Sequence, residues 1–327
     1  MTLLVVIVVV ALLFDYTNGF HDTANAIATS VSTRALSPRA AVLMAAAMNM
    51  LGAFAGKKVA ETVGKGLVET AEVTQLLVLA ALVGAITWNL ITWHFGIPSS
   101  SSHALFGGLI GAAVASAGVD AVVWGGILDK VVIPMVTSPV IGFVAAFVIM
   151  NVLLLIVRRH PPASVNRVFR FLQPVSAAAV AFAHGSNDAQ KTMGIITLAL
   201  VAAGKQSHFE IPLWVILAAA SAMALGTYSG GWRIIRTLGT RVIKIDPIHG
   251  FAAETAAAAV IYSTAHFGLP ISTTQTITAS IMGSGATDRL SAVRWGVAGN
   301  IVTAWVLTLP AAGGVAAAVY LLLDLAA

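Results

Sequence analysis

Two short segments place an acid among small and amide residues inside otherwise apolar sequence. They are Gly19-Phe20-His21-Asp22-Thr23-Ala24-Asn25-Ala26 and Gly185-Ser186-Asn187-Asp188-Ala189-Gln190-Lys191-Thr192. Carboxylates, amide oxygens and backbone carbonyls are the ligands that hard cations take, and carboxylates and imidazoles carry protons. Asp22, Asn25, Asn187 and Asp188 are therefore candidate cation ligands, with sodium an option at Asp22 and Asp188. His21 joins them as a proton carrier, and His103 and His184 offer the same chemistry. Lys191 stands where the first copy has Asn25, three residues after Asp188 and so within reach of it on a helix. That pairing either neutralises an expensive carboxylate or supplies a fixed positive charge.

A second pair of segments offers the opposite chemistry. Phe95-Gly96-Ile97-Pro98-Ser99-Ser100-Ser101-Ser102-His103 returns as Phe267-Gly268-Leu269-Pro270-Ile271-Ser272-Thr273-Thr274-Gln275. A proline donates no backbone hydrogen bond and pushes the residue before it out of helical geometry. Pro98 and Pro270 are expected to end one helical stretch and let another begin among the hydroxyls. The new helix then directs unpaired N–H groups toward the break, the arrangement that holds an oxyanion. Ser100, Ser101, Ser102 and His103, with Ser272, Thr273, Thr274 and Gln275, ring those N–H groups, and Asn25 and Lys191 add donors. Ser and Thr in membrane helices also bond back to carbonyls. That use explains a lone pair of serines better than a Pro-started run in both halves. An anion beside two carboxylates is repelled unless a cation binds between them. The two ligands then depend on each other, which is a coupling free energy.

These motifs recur at nearly one offset, 166 residues from Asp22 to Asp188 and 172 from Pro98 to Pro270. Hydrophobic residues make up 58% of the chain and charged residues 9%, with a mean hydropathy of +0.91. A soluble domain carries about a quarter charged residues. The net charge of +5 sits in loops, as in membrane proteins, and gives no reason to expect nucleic acid. With no cysteine there is no disulfide framework and no thiolate metal site. The stretch from Leu3 to Phe14 lacks a basic leader and reads as a retained membrane segment.

Apolar runs fall at roughly 2–33, 39–56, 73–93, 100–118 and 134–157, then at 172–203, 211–230, 248–266, 274–286 and 296–322. Most approach the ~20 residues that span a bilayer. The first and sixth are too long for one straight span and hold the acidic motifs, so each is expected to be a broken helix or a hairpin plus a span. Run 274–286 is too short to span alone and is expected to draw on the preceding loop or to be re-entrant. Arg158, Arg159, Arg167 and Arg170 make 158–170 a basic cytoplasmic linker. Arg233, Arg236, Arg241 and Lys244 against Asp246 place 231–247 on the same side. In 57–72, Lys57, Lys58 and Lys65 are cancelled by Glu61, Glu69 and Glu72, as an external loop permits. Five net crossings per half is odd, so residues 1–157 and 171–327 should form two oppositely inserted repeats. Paired interruptions in inverted repeats mark the binding site of a carrier.

Acids inside apolar runs are Asp15, Asp22, Asp188 and Glu254. A charge at the bilayer centre costs about 2.5–3.5 kcal/mol on insertion scales, so such residues face a partner or a cavity. Asp22 and Asp188 could cap the half-helices after them, and Asp15 reads equally well as structural. Glu254 reads as a cation or proton site, or as an interfacial acid near His249. A hydrolase built on Ser102 and His103 is disfavoured, since adjacent residues on a helix do not face each other.

The segments Asn18–Ala26 and Ala183–Lys191 resemble the paired signature of the PiT family of inorganic phosphate transporters, especially its bacterial low-affinity branch, over essentially the whole chain. The resemblance implies an all-α, polytopic membrane protein with two inverted-topology repeats, whose broken or re-entrant helices meet at a midplane site. It implies a symporter of the cytoplasmic membrane, not an enzyme, that imports inorganic phosphate with a coupling cation and no cofactor. Asp22, Asn25, Asn187, Asp188 and the Pro-hydroxyl loops would form its site. The family pattern Gly-x-Asn-Asp-x-x-Asn is broken here by His21 in the first copy and Lys191 in the second. That departure favours protons over sodium, with phosphate carried free or as a metal complex and arsenate as a mimic. Expected partners are phosphate, the cation and the lipid bilayer; self-association into a homo-oligomer stays open. A sulfate carrier or a cation channel is the alternative.

Overall fold

The computed structural model describes residues 2–69 and 72–326. Residues 1 and 327, at the outer ends of the expected repeats, and 70 and 71, in the expected external loop, lie outside them. Helices α1 (Thr2–Ser32), α2 (Pro38–Gly52), α3 (Lys58–Lys65), α4 (Gln75–Phe95) and α5 (Ser101–Ala117) lead to α6 (Trp124–Ile127) and α7 (Ile133–Val157), which are joined by a π turn. The chain continues as α8 (Pro162–Ala202), α9 (Leu213–Ser229), α10 (Trp232–Arg236), α11 (Pro247–His266), α12 (Thr273–Ala286) and α13 (Trp295–Asp324). Among the described residues the extended pairing is limited to one isolated bridge, Val68 with Val122. Backbone groups bonded within helices are what a hydrocarbon environment requires.

Among the described residues four helical stretches, Thr2–Ser32, Gln75–Phe95, Trp124–Val157 and Trp295–Asp324, are long and apolar enough to cross a bilayer. A fifth is made by α9 with Trp232–Arg241 if their 60° bend falls within one span. The outer surface is apolar: Val136, Val140, Val144 and Val148 of α7 and Val302 and Val306 of α13 are exposed. In contrast, every residue of α12 is buried, as is most of α5. At 14 residues α12 is about 21 Å long, short of a bilayer core. It is an interior helix preceded by the Pro270 loop, as its brevity predicts.

Three expectations change. The acidic motifs do not interrupt their helices: α1 runs unbroken through Gly19–Ala26 and α8 through Gly185–Thr192. The glycines serve helix crossings instead. A Cβ on Gly19 would lie 2.4 Å from the Met223 carbonyl oxygen of α9, and one on Gly185 would lie 2.1 Å from that of Asn49 on α2. Gly226 meets Tyr16 of α1 and Gly52 meets Phe182 of α8 in the same way, so the two crossings are equivalent and each joins one half to the other. Asp22 and Asp188 are therefore mid-helix residues that cap nothing. Second, the presumed loops 57–72 and 231–247 contain α3 and α10, whose apolar residues Val59, Ala60, Val63, Ile234 and Ile235 are buried. Third, most of the basic linker is helical: 162–170 belongs to α8, with Arg167 and Arg170 in its early turns.

Candidate functional site

Pro98 and Pro270 act as their position dictates. α4 ends at Gly96 (φ 67°) and α11 passes into Gly268 (φ 76°), and after each proline a new helix begins. Ser100 caps α5 by accepting from the His103 N–H at 3.1 Å, and Ser272 caps α12 by accepting from the Gln275 N–H at 3.3 Å. These two hydroxyls thus hold helix ends in place. The N–H groups of Ser101, Ser102, Thr273 and Thr274 lie too early in their helices for intrahelical acceptors. Two helix N-termini with available donors are the anion-binding element that the sequence predicts.

The acids of α1 and α8 meet these ends. Thr274 donates to Asp22 Oδ1 at 3.2 Å and accepts from Asn25 Nδ2 at 2.8 Å, while Thr273 donates to Asp188 Oδ2 at 3.1 Å. The Lys191 ammonium donates to Asp188 Oδ1, to Ser102 Oγ at 2.5 Å and to the Ile271 carbonyl at 2.9 Å. His21 Nδ1 lies 2.6 Å from Asp22 Oδ1, and its Nε2 lies 3.1 Å from Thr92 Oγ1. Asn187 donates to the Leu269 carbonyl at 3.3 Å. All these side chains, and those of His103, Ser101 and Gln275, belong to residues at most 3% exposed. The Oδ1 atoms of Asn25 and Asn187 and the hydroxyl of Ser101 have no partner, so oxygen ligands and a donor stay available.

His184 is the residue whose importance sequence reasoning underrated. Its Nε2 lies 3.0 Å from Asp188 Oδ2, off the line a hydrogen bond needs, and 4.0 Å from Asp22 Oδ2. Its Nδ1 lies 2.9 Å from Asn49 Oδ1, and Asn49 Nδ2 donates to Thr227 Oγ1 at 2.9 Å. With the Asn49 amide oriented so that Nδ2 meets Thr227, Oδ1 accepts from His184 Nδ1–H, which leaves Nε2 to face the carboxylates. Asp22, His184 and Asp188 each offer one atom within 4.8 Å of the others, a spacing that suits a bound cation. Asn49 was legible only as a lone amide in an apolar run.

Two sequence-predicted groups fall elsewhere. His103 and Gln275 contact each other at 3.2 Å, one turn beyond the helix starts. Glu254 is not in the central cluster. It sits in a separate cage where Thr29, Ser30 (2.8 Å) and Gln173 (3.3 Å) donate to Oε1 and Ser176 donates to Oε2. Thr29 is seven residues beyond Asp22 on α1, about 10 Å along the helix axis. The expected interfacial partner, His249, instead faces Asp288 at 3.3 Å.

A multi-pass helical protein with buried acids and two helix N-termini converging at its centre is, as a class, a membrane transporter. The comparisons agree: residues 18–164 and 157–316 match the phosphate transporter family. The chain is 50% identical to the "probable low-affinity inorganic phosphate transporter" of Rhizobium meliloti, covering 99% of this chain and 98% of that protein. It is 47% identical to the protein of that name from Bacillus subtilis, again over 99% and 98%. A solved structure titled as the sodium-dependent phosphate transporter superposes with a TM-score of 0.91 at 26% identity, covering 99% of this chain and all of that one. The chain belongs to the phosphate transporter family and is not an enzyme.

Proposed function

We propose that the chain imports inorganic phosphate across the cytoplasmic membrane by symport with a cation, the proton in preference to sodium. Residues 1–157 and 171–327 act as two inverted repeats that give alternating access to one site. The observation that carries this reading is the His184 Nε2, set 3.0 Å from Asp188 and 4.0 Å from Asp22 with its other nitrogen engaged by Asn49. A proton there, or a cation among Asp22, Asn25, His21, Asn187 and Asp188, offsets the carboxylates beside which an anion must bind. Phosphate then docks on the N-termini of α5 and α12, with the donors of Ser101, Ser102, Thr273, Thr274 and Lys191. Because the charges lie out of water, their mutual attraction is large enough to couple the two ligands.

The relatives' names support phosphate as substrate, and the neighbour's title favours sodium as the second reading. The spacing of Asp22, His184 and Asp188 also suits a metal delivered with phosphate. Arsenate, with the same shape and charge, competes. The test is radiolabelled phosphate uptake into proteoliposomes with proton and sodium gradients imposed separately. Uptake driven by the proton gradient alone supports the proposal. A strict sodium requirement transfers the coupling role to sodium, and uptake driven by neither removes the symport reading.

A further inference from the structure

The Lys191 ammonium makes more contacts than neutralising one carboxylate requires. A helix ion pair needs only Asp188, three residues away. Here Nζ also holds Ser102 Oγ at 2.5 Å, from the start of α5, and the Ile271 carbonyl at 2.9 Å, from the loop before α12. One carboxylate, one hydroxyl and one carbonyl from three separate segments form the oxygen set that a bare monovalent cation takes. The side chain is 1% exposed, so no water competes for the position.

The repeat supplies the comparison. By the spacing of the paired motifs, Asp22 corresponds to Asp188, Thr274 to Ser102, Ser99 to Ile271 and Asn25 to Lys191. At that related position the carboxylate and the hydroxyl are again together, with Thr274 donating to Asp22 Oδ1 at 3.2 Å. Asn25 brings an amide and no charge. Its Nδ2 donates to Thr274 Oγ1 at 2.8 Å, and its Oδ1 is buried without a partner. One position therefore has a carboxylate, a hydroxyl and a free amide oxygen, with the His21 imidazole beside its carboxylate (Nδ1 2.6 Å from Asp22 Oδ1); the other has a carboxylate and a hydroxyl with a cation attached to the chain.

We propose that Lys191 is a tethered cation, filling one of two repeat-related cation positions so that only the position at Asp22 exchanges ions with solution. This rests on the phosphate symport reading and adds a stoichiometry to it. A charge bonded to α8 attracts phosphate in every turn of the cycle but is never released with it. The chain therefore moves one cation fewer per phosphate than a protein with two open positions.

The experiment uses the whole protein in proteoliposomes, comparing the natural chain with Lys191→Asn, which copies the residue found at position 25. Phosphate uptake is followed against sodium and lithium at fixed pH, and charge moved per phosphate is read from the reversal potential. In the variant, uptake without added cation is expected to fall by at least about 100-fold, as for a buried carboxylate stripped of its partner. Sodium or lithium should restore it saturably, and one more charge should move with each phosphate. A folded variant that is silent at every cation concentration, or one whose cation dependence and charge per phosphate match the natural chain, overturns the proposal. A second measurement needs no variant: phosphate binding to the natural protein should rise with a slope of one in the exchangeable cation, and a slope of two also overturns it. If the natural protein takes up no phosphate under any gradient, it is the symport reading that fails.

Discussion

Replacing Asn49 by Leu tests whether His184 works through its orientation. The substitution keeps the branched shape but removes the acceptor 2.9 Å from His184 Nδ1 and the donor 2.9 Å from Thr227 Oγ1. A buried N–H left without an acceptor costs about 1–3 kcal/mol. The imidazole can escape that cost by moving its hydrogen to Nε2 or by turning, and either change spoils the slot between Asp188 and Asp22. Removing the partner that orients a ligand imidazole typically costs about 10–100-fold, or roughly 1.4–2.7 kcal/mol in activation free energy. Initial rates of gradient-driven phosphate uptake in proteoliposomes should fall by that factor in Asn49→Leu, at equal amounts of folded protein. Adding Thr227→Val removes the orphaned hydroxyl, so the double variant should regain about 1 kcal/mol of stability, read from the thermal midpoint, and none of the lost uptake. Uptake in Asn49→Leu within twofold of the natural chain, or restored together with stability in the double variant, would refute the orienting role.

Asp22→Asn and Asp188→Asn each remove a charge that the coupling cation needs, so gradient-driven uptake should be lost; near-normal uptake in either variant contradicts the assignment. Thr273→Ala with Thr274→Ala deletes two donors at the start of α12 and should raise half-saturating phosphate about tenfold or more, at roughly 1 kcal/mol for each hydrogen bond. An unchanged half-saturation sinks the oxyanion site. Glu254→Gln places an amide N–H₂ among groups that all donate (Thr29, Ser30, Ser176 and Gln173). It should lower stability by about 1–3 kcal/mol in a denaturation scan, and a variant as stable as the natural chain would show that the cage does not require a carboxylate.

Much of this architecture follows from local rules. Apolar runs become helices whatever surrounds them, because a chain in hydrocarbon must satisfy its own backbone. Pro98 and Pro270 fall in the breaks before α5 and α12, two residues ahead of the caps Ser100 and Ser272, where a residue with no N–H interrupts no helical bond. The pairing of Asp188 with Lys191 was legible from their spacing, and the repeated motifs identified the residues that meet. Other features were invisible until distant segments came together. Gly19 and Gly185 read as breaks, but the carbonyls of Met223 and Asn49 that require them belong to helices crossing from the other half. The third partner in each case, Asn49 for His184 and Ile271 for Lys191, comes from another helix or loop with no local trace. Glu254 and Asp22 are both acids in apolar sequence, yet one meets a cage of donors and the other a second carboxylate and two imidazoles. Residue type and position along the chain say which groups are too costly to leave alone in a membrane. The tertiary structure decided which partner each one has, because burial removes water as the alternative and only packing between the halves can supply another.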